Sequence, residues 1–274
     1  MMAPADQRID GSSFLATDRP MPKDADYKRL GFPVNHSLLA KVNEWLADAQ
    51  EWLFPPLCVL CGDYGERRRD LCCCCADDLP IVKAACVRCG APLPMPGTCG
   101  RCQRRPPAFD RTAAVFHYVP PLDALIKRLK FNGDLTLARL LGELMADRLG
   151  ESETELPEVI IPVPLHVRRL KERGFNQALE LARPVAERLG VPLAWRQVVR
   201  IRATDPQADL PAKLRYRNIK GAFAVEPGFA AQHVAIVDDV MTTGYTVNEL
   251  AATLRRAGVA TVSVWVCARA ALGR

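Results

Sequence analysis

Ten of the eleven cysteines in this sequence fall between Cys58 and Cys102, and eight of them form four Cys-x-x-Cys pairs. The pairs are Cys58/Cys61, Cys72/Cys75, Cys86/Cys89 and Cys99/Cys102. A two-residue spacer lets a tight knuckle aim both sulfurs at one ion, and two knuckles complete a tetrahedron. Pairing in sequence order gives two four-thiolate sites, each closed by a short loop. Four thiolates leave no coordination position for water, so the chemistry is structural and the expected ions are two Zn²⁺. So small a segment has little core of its own. Metal binding, about 10–16 kcal/mol in zinc-finger peptides, would supply its folding energy. The run Cys72-Cys73-Cys74-Cys75 leaves open which two sulfurs serve. Interleaved pairing of the knuckles is an alternative, and an iron–sulfur cluster is the rival group.

A second kind of chemistry resides in Val234 to Thr246, VAIVDDVMTTGYT. An apolar strand delivers Asp238 and Asp239 at its carboxyl end, where open parallel sheets place their ligands. The turn Thr242-Thr243-Gly244-Tyr245-Thr246 then opens a helix with an apolar stripe of Val247, Leu250, Ala251 and Leu254. Amides at a helix N-terminus, with hydroxyls beside them, suit a phosphate dianion. Gly244 lets the chain approach that anion closely. The two carboxylates would repel the phosphate, but they accept hydrogen bonds from vicinal hydroxyls and favour a bound Mg²⁺. A ribose with a free diol and a 5′-phosphate fits both halves.

This string resembles the phosphoribosyl pyrophosphate signature of type I phosphoribosyltransferases. The resemblance implies that Asp238 and Asp239 address the ribose diol and that Thr242, Thr243, Gly244, Tyr245 and Thr246 wrap the 5′-phosphate. One departure matters. The hypoxanthine-guanine branch has an aspartate two residues before the glycine; here that position is Thr242. Purine salvage of that kind is therefore not expected.

The elements that must position these groups follow from periodicity. Strands are expected at Arg111–Tyr118, Val159–Ile161, Leu193–Arg200, Val234–Val237 and Thr261–Cys267. Helices are expected at Leu122–Lys130, Asp134–Leu149, Asn176–Leu189 and Thr246–Ala257, with a basic loop after Ile161. Strands alternating with helices imply an α/β fold with a doubly wound parallel sheet. The domain division is a disordered extension over 1–36, an amphipathic helix over 37–56, a double zinc ribbon over 57–106 and the α/β domain over 107–274.

The formal charge is +6, but the segment from Pro164 to Lys220 holds 13 Lys or Arg against 5 Asp or Glu. Such a stretch suits a polyanion, either a nucleotide-type phosphate or a nucleic-acid backbone. No apolar run approaches the roughly 18–20 residues that span a bilayer. The first fifty residues lack the apolar core of a cleaved signal, so the expected location is cytoplasmic. The amphipathic helix has three candidate docking surfaces: the protein itself, a partner, or the inner membrane, where attachment would be peripheral.

Further segments narrow the resemblance. LFPP (53–56) precedes the cysteine block, LIKRLKFNG (125–133) follows the first strand, and Ile161-Pro162-Val163-Pro164-Leu165 runs into His166, Arg168, Arg169, Lys171, Arg173 and Gly174-Phe175-Asn176-Gln177. The stretch from Gln207 to Phe223 adds Leu210, Arg215, Asn218, Gly221 and Ala222. Together these resemble the ComF family, which couples an N-terminal zinc ribbon to a phosphoribosyltransferase domain and is associated with natural transformation. The resemblance implies that the loop around Val163, with Arg169 among its basic residues, receives pyrophosphate, and that Arg173 stabilises it as it leaves. Lys127 and Lys130, one turn apart, are candidates for the same site. Three readings compete: transfer of phosphoribose to an unknown acceptor, a binding protein for phosphoribosyl pyrophosphate or single-stranded DNA, and an adaptor for DNA-uptake proteins.

Overall fold

The computed structural model describes residues 54–66, 68–153, 155–203 and 219–271. The expected extension over 1–36, nearly all of the helix expected over 37–56, and the part of the Gln207–Phe223 motif before Ile219 lie outside these residues.

After two short helices in the cysteine block, α1 (Cys73–Asp77) and α2 (Gly100–Arg104), strand and helix alternate. The order is β1 (Arg111–His117), α3 (Leu122–Asn132), α4 (Leu135–Ser152), β2 (Val159–Pro162), α5 (Val167–Arg173), α6 (Gln177–Leu189), β3 (Val198–Arg200), β4 (Phe223–Val225), β5 (His233–Met241), α7 (Tyr245–Arg256) and β6 (Thr261–Arg269). Four strands make one parallel sheet in the order β1-β6-β5-β2. β3 and β4 form a separate antiparallel pair.

Both faces of the sheet are covered, and β5 shows why its sequence is apolar at successive positions. Ala235 and Val237 face one core with α3, α4 and α6, whereas Val234 and Ile236 face another with α7. Strands buried on both sides read as continuous apolar runs. The helices that follow the neighbouring strands β2 and β5 pack on opposite faces, so the loops leaving those strands part. That divergence opens the crevice in which doubly wound sheets hold ligands.

Two local expectations are corrected. The basic loop is helical over Val167–Arg173: His166 Nδ1 accepts from the Arg168 amide, and Gly174 ends the helix at φ 85°. The strand expected at Leu193–Arg200 forms only over Val198–Arg200, with Leu193 touching β2 through a single bridge. Trp195 and Arg196 between them are occupied with each other, the guanidinium carbon 4.4 Å from the ring centre. Among the described residues no helix is long and apolar enough to cross a membrane.

Packing is close where α4 crosses α6. A Cβ on Gly142 would stand 2.3 Å from Pro184 Cγ and 2.6 Å from the Leu181 carbonyl oxygen. Glycine in a helix interior normally weakens it, so this one is kept by contact. Gly142→Ala is therefore expected to lose about 1–3 kcal/mol despite its better helix propensity, read as a lower urea midpoint with an unchanged slope.

Candidate functional site: two cysteine clusters and a glycine turn

The eight paired cysteines converge in sequence order. Cys58, Cys61, Cys72 and Cys75 form one cluster and Cys86, Cys89, Cys99 and Cys102 the other, with the ligand atoms of each within 4.8 Å of one another. The sulfurs of Cys61 and Cys72 lie 3.7 Å apart, and those of Cys89 and Cys99 lie 3.8 Å apart. A Zn–S bond of about 2.3 Å sets a tetrahedral edge of about 3.8 Å. The sulfurs thus stand where zinc would hold them. Cys73 and Cys74 are exposed and belong to neither cluster.

The electrostatics of the clusters fit the same ion. Burial opposes ionisation of Cys58 and Cys86, but backbone amides outweigh it and bring these thiols down to about 6 and about 7. Cys75 is pushed up by its bonds to Cys72 and Cys61, and Cys102 by burial and then by Cys89 and Cys99. Thiols crowded in this way all ionise only around a cation.

The second cluster is pressed onto the sheet. Gly90 has φ 64°, and a Cβ there would stand 2.9 Å from Thr112 Cγ2 in β1. Thr112 returns two bonds, its hydroxyl to the Arg88 carbonyl at 2.6 Å and its amide to that of Val87 at 2.9 Å. Further along β1, Val82 donates to Val115 and His117 to Pro80.

At the carboxyl end of β5, Asp239 is buried and its Oδ2 lies 2.6 Å from Lys130 Nζ of α3. Burial works against the Lys130 ammonium, yet the attraction of Asp239 prevails and holds it above its ordinary value. Burial, and then the charge of Asp239, push the Asp238 carboxyl well above the usual carboxylate range, with Lys130 offsetting only part. Lys127, expected beside Lys130, instead pairs with Asp123 on the exposed face of α3.

Beyond the carboxylates the turn tightens. Gly244 takes φ 79° at the N-terminus of α7, a left-handed backbone that favours glycine. Thr243 Oγ1 is buried with no hydrogen-bond partner among the described residues.

Lys130, Phe131, Gly133, Arg169, Glu172, Arg173 and Phe175 line a cleft of about 300 Å³. The basic set read from sequence therefore divides. Arg169 and Arg173 face the cleft, while Arg168 is engaged with Glu172 at 3.2 Å. Val163 is buried; its amide donates to Val237 and its carbonyl accepts from Asn176, so both backbone groups are used within the protein. Arg200 is a residue that sequence reasoning misses. It lies on β3 with its guanidinium carbon 5.7 Å from the Phe223 ring centre, near enough to Arg169 and Asp238 to feel both charges. Only the pairing of β3 with β4 brings it there, and a three-residue strand leaves little periodic trace.

Comparison with known proteins agrees with this arrangement. Residues 49–103 match the double zinc ribbon domain, and residues 176–273 match the phosphoribosyl transferase domain. The chain is 39% identical over 221 residues to DNA utilization protein YhgH of Salmonella typhimurium, covering 78% of this chain and 97% of that one. It is 40% identical over 193 residues to competence protein F of Haemophilus influenzae, covering 68% and 84%. The chain belongs to the ComF family. A more distant member, competence protein ComFC of Bacillus subtilis, is 25% identical over 187 residues, covering 66% of this chain and 75% of that one. In this ComF protein the ribbon contributes two four-cysteine sites for structural zinc, and the parallel sheet is that of a phosphoribosyltransferase domain.

The cluster membership makes a specific expectation. A Cys73→Ser/Cys74→Ser variant retains two zinc ions per chain by elemental analysis, whereas Cys72→Ser retains one. Loss of zinc from the first variant would show that the run supplies a different ligand pair.

Proposed function

We propose that this ComF protein binds phosphoribosyl pyrophosphate with Mg²⁺ and transfers its phosphoribose to an acceptor, in the service of DNA uptake. The observation that carries the reading is the meeting, at one strand end, of the Asp238-Asp239 pair with a glycine turn holding a buried, unpartnered hydroxyl. The turn and Thr243 would receive the 5′-phosphate, and the carboxylates the ribose diol. Carboxylate oxygens are hard donors that suit Mg²⁺, and with Asp239 joined to Lys130, Asp238 is the one left to hold it.

In the transfer, the bond from C1 to the pyrophosphate oxygen breaks as the bond from C1 to the acceptor forms. The electron pair leaves with pyrophosphate, and the acceptor loses a proton. Mg²⁺ supplies positive charge to the departing pyrophosphate. Arg173, with Arg169 beside it, neutralises the remainder; a guanidinium fork matches the spacing of phosphate oxygens. Arg173 is held for this by Gln177 Oε1 at 2.5 Å and by the Phe131 ring. The relatives' names, DNA utilization protein and competence protein, support a role in DNA uptake.

A second reading has its own support. Phe131 is 75% exposed beside Arg169 and Arg173. An aromatic face among cations suits the stacked bases and backbone of a single strand. On that reading the protein binds phosphoribosyl pyrophosphate or single-stranded DNA as an accessory, with no transfer.

Calorimetric titration of phosphoribosyl pyrophosphate with Mg²⁺ tests the site. The expected result is binding by the zinc-loaded protein and at least about tenfold weaker binding by Asp238→Asn/Asp239→Asn. No binding by the folded wild type would refute the ligand. Release of pyrophosphate only when an acceptor is added, and its loss in Arg173→Ala, separates transfer from binding alone.

A further inference from the structure

Arg269, the last residue of β6, is 1% exposed, and among the described residues no carboxylate pairs with it. Its partners are carbonyl oxygens. Nη1 donates to Met241 at 2.8 Å, to Thr242 at 2.5 Å and to Ala270 at 2.6 Å, and Nε donates to Cys89 at 2.9 Å. Met241 ends β5 and Thr242 begins the phosphate turn; Cys89 is a ligand position of the second cluster. The next carbonyl of the turn, that of Thr243, accepts from Nη2 of Arg101 at 3.3 Å. Arg101 stands on α2, between Cys99 and Cys102 of the same cluster. Three successive carbonyls, Met241 to Thr243, are therefore held by two guanidinium groups, one bonded to the second cluster and the other borne by it.

The arrangement has a direct electrostatic meaning. A carbonyl oxygen turned toward a phosphate dianion repels it, and an amide turned toward it attracts it. Drawing the three carbonyls to the arginine side fixes the turn with its oxygens away from the anion. It also sets positive charge behind the turn, of which that on Arg269 is buried and, among the described residues, faces no carboxylate. A buried charge acts through a low dielectric and is felt more strongly than one in water.

We propose that Arg269 and Arg101 are positioning residues for the phosphate turn, and that through them the second cysteine cluster is part of the 5′-phosphate site. Neither touches the ligand. Arg269 acts through the backbone of Met241 and Thr242, and Arg101 through that of Thr243. The inference rests on the reading of that turn as a phosphate site, and it adds that the ribbon sets how tightly the turn binds.

The test uses the full-length, zinc-loaded protein and three probes titrated separately: ribose 5-phosphate, inorganic pyrophosphate with Mg²⁺, and phosphoribosyl pyrophosphate with Mg²⁺. Arg101→Ala is the principal variant, because Arg101 is exposed. The expected result is ribose 5-phosphate binding weakened about three- to tenfold, with pyrophosphate affinity unchanged. Arg269→Lys, which keeps the charge but cannot reach all four carbonyls, weakens ribose 5-phosphate at least as much. Arg104→Ala removes the same charge from the same helix without touching the turn, and leaves all three affinities unchanged. Zinc content and thermal midpoint are read on every variant; if Arg269→Lys does not fold, Arg101→Ala decides. Wild type that binds no ribose 5-phosphate overturns the phosphate reading and this inference together. Wild type that binds it, with Arg101→Ala unchanged, overturns the inference alone. Equal weakening of both probes, or the same loss in Arg104→Ala, also overturns it, because the arginine would then act as general charge.

Discussion

A carboxylate buried at the end of a sheet strand must be neutralised, and much of this molecule is arranged around that requirement at Asp239. Removing a carboxylate from water costs several kcal/mol unless a cation and hydrogen bonds compensate. Lys130 supplies the cation, and the Val240 amide donates to Oδ1 at 2.7 Å. Because Lys130 lies near the end of α3, the pair fixes that helix against the end of β5, and with it the cleft wall formed by Phe131 and Gly133. Asp238 has no such cation bonded to it among the described residues. Of two adjacent identical residues, one is thereby tied to α3 and the other is not.

How much of this is legible in the sequence depends on the range of the interactions involved. The cysteine spacing carries its own geometry, since two knuckles and one ion are local facts. The glycine turn after β5 is also legible, because strand, acids, turn and helix follow one another within thirteen residues. The boundaries of the long helices come from their apolar stripes. The basic helix Val167–Arg173 reads as a loop because none of its residues is buried, so no apolar face marks it. Its capping by His166 is the available signal, a weaker one than Ser or Asp would give.

Partnership across the fold is less visible. Lys127 and Lys130 look equivalent as sequence, and only the orientation of α3 separates a surface pair with Asp123 from a buried one with Asp239. Arg200 needs the antiparallel pairing of two short strands, distant in sequence, to bring it near Asp238. Arg269 stands at the end of a largely apolar strand, where an arginine passes for the first surface residue after the core. Its burial goes with its bond to the Cys89 carbonyl of the second cluster, which no pattern within β6 announces.

The ribbon and the sheet also share a seam that the order of the chain conceals. β1 is the outermost strand, and along its free side Pro80, Val82 and Val87 from the cysteine segment take up its backbone groups. A sheet whose border is finished by residues encoded before it has no clean N-terminal boundary. Cut away from the ribbon, the phosphoribosyltransferase half would present a bare strand edge of the kind that recruits other chains into aggregates. The two halves are thus best regarded as a single folding unit.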